Sequence, residues 1–274
     1  MTGVKSIERA VCLLRAIAER NREGARLTQV ARAAGLSKST AHRILAALID
    51  ARLVEQNEST GLFYLGFEAV VIGAAGANRH HLIDMARPSM LRLAERSADT
   101  VYLTARIGFE AVCVAREEGS FPIKTLSVDV GTRRPLGVGG GNLAMLARLP
   151  DSDIERAIAL HGDRIFEIWG LDATTICSLV EATRRQQHAF VDGQFIPGMA
   201  AIGVAIEAAD GLPFASLSIA AISNRMQGER RFDLVSLLQE EARVITTLIR
   251  NEGRQQNVLM HLSENLATAA GRSR

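Results

Sequence analysis

The run Ser37-Lys38-Ser39-Thr40, followed by His42 and Arg43, gathers short hydroxyls and cations into about two turns of chain. Side chains of these types hydrogen-bond phosphate oxygens and reach base edges when the helix carrying them lies in a DNA major groove. The free N–H groups at such a helix start also attract a phosphate. Thr28, nine residues before Ser37, adds a hydroxyl at the start of the preceding helix. On its own, a Ser-Lys-Ser-Thr run is also an ordinary solvated helix start, so the flanking spacing has to decide.

A second chemical candidate is the glycine run Gly137-Val138-Gly139-Gly140-Gly141-Asn142. Asn142 replaces the third glycine of a dinucleotide fingerprint, no Lys-Ser/Thr pair follows, and Arg133-Arg134-Pro135 precedes it instead of a buried parallel strand. A backbone that comes close to a small ligand at a helix mouth fits the run better than a cofactor cradle. There is no GxSxG elbow, no HExxH and no cysteine with a motif-placed histidine, so no catalytic residues, no enzyme activity and no cofactor are expected. His80-His81 are adjacent, point about 100° apart on a helix and rarely share an ion; no metal site is expected. Asp151, Asp153 and Glu155 read as an acidic helix start favoured by the helix dipole. Cys12, Cys113 and Cys177 are widely spaced and read as buried reduced thiols.

The elements that must position these residues follow from periodicity. Ser6 can cap a helix whose apolar positions Ile7, Ala10, Val11, Leu14, Ile17 and Ala18 recur at three- and four-residue steps. After a polar loop at Asn21 to Arg26, Thr28 offers an N-cap to a short helix over Gln29 to Ala34. Gly35 then supplies a turn that needs positive φ. Ser37 caps a helix to about Asp50 with the buried stripe Ala41, Ile44, Leu45 and Leu48, and small Ala31 lets the two helices approach. Short helix, glycine turn and second helix with a polar first turn make the DNA-reading arrangement. Leu53-Val54-Glu55 and Leu62-Phe63-Tyr64-Leu65 flank a polar turn with Gly61, which predicts a hairpin wing.

Beyond it, an apolar, glycine-spotted helix over Phe67 to Ala77 leads through a second helical pattern that Pro88 is expected to kink. Three strands are predicted over VYLTARI, EAVCVARE and KTLSVDV, then helices near Ser152 to Leu160 and Ala173 to His188. Strands return in MAAIGVAIEA and FASLSIAAI, and a last helix spans Phe232 to Arg250. The fold class predicted is α+β. Period-2 geometry puts Ser216, Ser218 and Ala220 on one face of their strand.

The 274 residues suit two domains and can bury a core without staples. Residues 1–64 hold ten Lys/Arg against six Asp/Glu, a net of +4, while the remainder is −2. A basic head on a slightly acidic body suits one end that meets a polyanion. The N-terminus mixes charges into its apolar pattern and is not a signal peptide, and no apolar run reaches membrane-span length, so a cytoplasmic location is expected.

Across Leu27 to Gly66 the sequence LTQVARAAGLSKSTAHRILAALIDARLVEQNESTGLFYLG, preceded by SIERAVCLLRAIAE, resembles the DNA-binding domain of the IclR family of bacterial transcriptional regulators. The resemblance covers essentially the whole chain. It implies an N-terminal winged helix-turn-helix over 1–66, a linker helix over 67–80 that helps dimerise the heads, and a GAF-like effector-binding domain over 81–253. Residues 254–274 would form a helical or disordered extension. It implies a homodimer, or a dimer of dimers, on a palindromic promoter site, with Ser37 to Arg43 meeting DNA.

It also implies a small organic-acid effector at Gly139, Gly140, Asp192, Ala201, Ser218 and Ala220. Here the sequence departs from the commoner pattern. Gly139-Gly140-Gly141-Asn142-Leu143 replaces a Thr-Ala-x-Gly-Lys run, Ala201 a frequent cysteine, and Ala220 a second serine. A roomier, less polar pocket is therefore expected, suited to a larger, partly apolar or aromatic acid. The alternative is a small-molecule-binding protein or enzyme whose winged helix makes only protein contacts.

Overall fold

A computed structural model of the chain describes residues 5–126, 128–208 and 210–270, with residues 77–80 and 252–270 described by their backbone alone. The chain divides into two compact units, Met1–His81 and Leu82–Arg274.

The first unit opens with α1 (Lys5–Ala18), which already contains Ser6, so Ser6 is not the expected cap. α2 (Leu27–Ala33) and α3 (Lys38–Asp50) follow, then β1 (Val54–Gln56) and β2 (Phe63–Leu65) as an antiparallel hairpin. Leu13, Ile17, Val30, Ala31, Ala41, Leu45, Val54 and Phe63 form its core. Each fully buried Leu or Ile contributes roughly 1.5–3 kcal/mol. α4 (Phe67–His80) leaves this core, and the break before α5 (Leu82–Ser97) falls at His81, whose φ is +45°. α5 runs through Pro88 as one helix, so the proline does not set the break.

The second unit is an antiparallel sheet of six strands in the order β5-β4-β3-β8-β7-β6. These are β3 (Thr100–Ile107), β4 (Glu110–Glu118), β5 (Arg133–Pro135), β6 (Ala189–Asp192), β7 (Met199–Glu207) and β8 (Pro213–Ile222). Helices α6 (Gly140–Ala147), α7 (Asp151–Trp169) and α8 (Ala173–Gln186) come between β5 and β6, and α9 (Gly228–Ala270) closes the chain. The alternation of strand side chains divides the sheet. Val101, Leu103, Ile202, Val204, Leu217 and Ile219 face a core shared with Met90, Leu93, Leu234, Leu238 and Ile245 of α5 and α9. The opposite face packs against α6 to α8 through a second core that includes Leu143, Leu146, Ile154, Ile165, Ile176 and Val180. The architecture is α+β, as predicted.

Two expectations are corrected and two elements are extended or added. KTLSVDV forms no strand among its described residues; Arg116 and the turn at Asp129–Thr132 hold Val128 and Asp129, and the chain bonds to the β4 backbone at Gly131 and Thr132, just ahead of the edge strand β5. β6 was not foreseen, being four residues long. Cys12 and Cys177 are exposed and only Cys113 is buried, since the first two sit on the outer faces of their helices. The last helix continues past Arg250 to Ala270, and residues 271–274 lie outside the described residues.

Candidate DNA-reading helix and ligand cavity

Gly35 (φ +64°) makes the turn between α2 and α3, and Leu36 N–H donates to Ala31 O at 2.9 Å. Ser37 then caps α3: its Oγ accepts the Thr40 N–H at 3.2 Å. The same Oγ donates to Thr40 Oγ1 at 2.9 Å and lies 3.1 Å from Ser39 Oγ. Thr40 is half-buried in that cap, while Ser37, Lys38, Ser39, His42 and Arg43 are exposed along the outer face of α3. Ala41, Leu45 and Leu48 bury the inner face. Thr28 is exposed but is not an N-cap: α2 starts one residue before it, after Arg26, whose N–H is taken by Gln29 Oε1 at 2.9 Å. Gln29, three residues into the helix, reaches back to the Arg26 backbone, and this fixes the helix start ahead of Thr28. Exposed Arg26 and Arg32 flank this surface; their signal in the sequence was charge alone.

In the second unit, a cavity of about 90 Å³ lies between the helix-covered face of the sheet, the start of α6 and the segment after β6. Gly139, Gly140, Ala201, Ser218 and Ala220 line it. Asp192 is not among the lining residues, although its neighbours Val191 and Gly193 are, and its N–H is held by Gln194 Oε1. The sheet wall is more polar than expected. Tyr102 and Thr104 face the cavity because they alternate with buried Val101 and Leu103, and Cys113 joins them as the partner of Thr104 beyond the register shift that puts Ala115 opposite Leu103. The alternation in β3 was present in the sequence and was the signal for Tyr102 and Thr104; the register shift that brings in Cys113 was not. Arg134 of β5, opposite Ala111 of β4, and Asn142 of α6 complete the polar lining. Val138, Val191, Phe195, Ile196 and Met199 supply an apolar wall.

The glycine run allows α6 to sit on the sheet. A Cβ on Gly203 of β7 would lie 2.3 Å from the Gly140 backbone, and one on Gly141 2.6 Å from Ser216 Oγ. Gly139, with φ +92°, turns the chain into the helix. Two groups in the wall resist ionisation. Burial pushes the Tyr102 hydroxyl up to about 12, and it donates to Thr125 O. Burial likewise pushes the Cys113 thiol up to about 11. Among the described residues no group of three or more His, Cys, Asp or Glu is placed to hold a metal ion, and no helix is long and apolar enough to cross a membrane. The side chain of His80 lies outside the described residues.

Residues 6–58 match the IclR helix-turn-helix domain, and residues 74–247 match the bacterial transcriptional regulator IclR C-terminal domain. The chain is 25% identical over 248 residues to the HTH-type transcriptional repressor AllR of Salmonella typhimurium, covering 90% of each protein. It is 27% identical over 258 residues to the acetate operon repressor of the same organism, again covering 90% of each. Its fold resembles the crystal structure of an IclR homolog complexed with 4-hydroxybenzoate from Microbacterium hydrocarbonoxydans. The TM-score is 0.71 at 22% identity, covering 90% of this chain and 99% of that one.

Proposed function

Because the chain belongs to the IclR family of bacterial transcriptional regulators, we propose that it binds a palindromic promoter site as a homodimer, or a dimer of dimers, through paired α3 helices. An organic acid in the cavity behind α6 tunes its affinity for DNA. The observation that carries the DNA half is α3 itself. Its apolar face is buried, its first turn is capped by Ser37, and its outer face offers Lys38, Ser39, His42 and Arg43 to a groove. Exposed Ile7 and Val11 on α1 and Phe67, Val70, Val71 and Ile72 on α4 support dimerisation through the head, since a solvated helix face seldom carries so many large apolar side chains.

The cavity supports the sensing half. Five of the six positions carried over for the effector line it, and its apolar wall suits a body larger than a two- or three-carbon acid. The 4-hydroxybenzoate bound to the Microbacterium homolog lends support to an aromatic acid. Binding would bias the relative positions of the heads and thereby the DNA affinity. The cavity is assigned a sensing role and no reaction.

A gel shift on the chain's own upstream intergenic DNA, against random DNA across a salt series, tests the first half. Specific retention that weakens steeply with salt is expected; equal retention on both DNAs would overturn it. Calorimetric titration with a panel of organic acids tests the second, and binding only of glyoxylate- or pyruvate-sized compounds would overturn the larger, partly apolar ligand.

A further inference from the structure

We propose that the second unit carries a further ligand site, a basic groove between α6, α8 and α9, and that this groove takes a molecule with two or more linked phosphates.

The groove holds about 490 Å³ and shares no lining residue with the cavity behind α6. That volume is in the range of roughly 300–1,000 Å³ usual for small-molecule sites. Its origin is a short strand. β6 pairs with β7 from Ala200 to Gly203, so Val204 to Glu207 have β8 on one side and no strand on the other among the described residues. The slot left along that edge is floored by Val204 and Ala205 and walled by the ends of α6 and α8 and by one stripe of α9.

The lining is unbalanced in charge. Arg148, Arg184, Arg243 and Arg250 face it against one carboxylate, Glu207. Arg148 holds Glu207 at 2.8 Å. Arg184 pairs with Asp151 at 2.7 Å and caps the end of α6 through Ala147 O and Leu149 O. Arg243 and Arg250 are exposed, and their side chains make no ion pair or hydrogen bond among the described residues. Burial lowers the pKa of His188 on the rim, which therefore stands neutral beside these cations at pH 7. Two cations thus face a concave surface whose one carboxylate is already taken, and such a surface concentrates anions.

Spacing and donor type set the class of anion. Arg243 and Arg250 lie seven residues apart on one face of α9, about 10.5 Å along the axis at 1.5 Å per residue. Cations spread over that length suit a chain of charges better than a single one. Gln239 continues the stripe one turn before Arg243. Across the groove Thr183 is 6% exposed, and its hydroxyl makes no hydrogen bond among the described residues and keeps its access through the groove. Guanidinium forks match phosphate, and the three acceptor oxygens of a phosphate group can use the amide and the hydroxyl as well.

The test is calorimetric titration of the full chain, at about 0.15 M salt, with tripolyphosphate, ATP and citrate. Wild type is compared with Arg243→Gln, Arg250→Gln, their double variant and Glu207→Gln, with thermal melting as a check on folding. Arg185→Gln, on the exposed outer side of α8, is the control. Tripolyphosphate and ATP should both bind wild type and the control alike. Each single arginine variant should weaken binding about tenfold, the worth of one charged hydrogen bond, and the double variant further. Glu207→Gln should tighten it several-fold, a gain that no folding defect imitates. ATP binding more tightly than tripolyphosphate makes the ligand a nucleotide, and equal affinity makes it the phosphate chain itself. Citrate binding as tightly as tripolyphosphate overturns the phosphate class. If Arg43→Ala abolishes binding while the double variant keeps it, the anion sits on α3 and the groove assignment falls. Absence of binding by both phosphates overturns the site.

Discussion

Arg43 and Lys38 stand out on the surface of α3 as side chains long enough to reach bases, and both are exposed. Substituting alanine for either should cost about 1–3 kcal/mol of specific DNA affinity if it reads a base, with relaxed sequence preference. If it touches only phosphate, the loss should be uniform across sequences and the salt slope should fall by about one. Competitive gel shifts against single-base operator variants separate the two. In the cavity, Cys113 and Tyr102 make a different prediction. Their folded-state pKa values rise from 9.0 to about 11 and from 10.0 to about 12. The folded state therefore keeps both neutral while the unfolded chain ionises them. The stability they confer is full below about pH 9 and is lost as pH rises from 9 to 11 for Cys113 and from 10 to 12 for Tyr102. Urea midpoints measured from pH 8 upward should fall across that window, and Cys113→Ala and Tyr102→Phe should each flatten the fall.

At the level of elements, two joints carry most of the geometry. Ser37 fixes where α3 begins, with its Oγ satisfying the Thr40 N–H. Ser37→Ala should cost about 1 kcal/mol of head stability and loosen the turn that presents Lys38 and Ser39. Ser37→Asp, which keeps an acceptor, should restore the stability while repelling phosphate, so melting and gel shift should diverge. The second joint is the contact of α6 with the sheet, where Gly140 and Gly203 bring two backbones together. Gly203→Ala puts a Cβ 2.3 Å from the Gly140 backbone. It should cost about 1–3 kcal/mol by overpacking and shift the α6 start at the cavity mouth. Chemical denaturation and ligand titration on one variant would register both effects. The glycine run, read in the sequence as a place where backbone comes close to something, meets the sheet at Gly140 and Gly141 and opens to the cavity at Gly139.

For the whole molecule, the exposed apolar side chains of α1 and α4 make the proposed head dimer testable. Val70→Asp with Val71→Asp places two charges where Val70 is 60% and Val71 46% exposed. Sedimentation velocity should show a smaller species, and operator affinity should drop far more than that of a single half-site contact. Unchanged sedimentation would move the dimer interface off this face.

The sequence by itself determined the helix-turn-helix, because its signals are local. The Ala31, Ala41, Leu45 and Leu48 spacing, the Gly35 turn and the Ser37 cap each act within about four residues, so periodicity exposes them. It also determined the two long strands β7 and β8, whose alternation is strong, and through them the α+β class. What it left open is what depends on contacts between distant segments. Whether 124–130 or 133–135 would pair with β4 is decided at the β4 backbone, which the chain meets at Gly131 and Thr132, and four-residue β6 has too little pattern of its own. The α2 start moved from Thr28 because Gln29 could reach back to Arg26. Only the tertiary structure decided the cavity. Tyr102, Thr104, Cys113 and Arg134 come from three strands, and a pocket exists because the sheet brings their polar faces under α6. A strand's sequence states which residues share a face; what lies across from that face is set by the chain that folds over it.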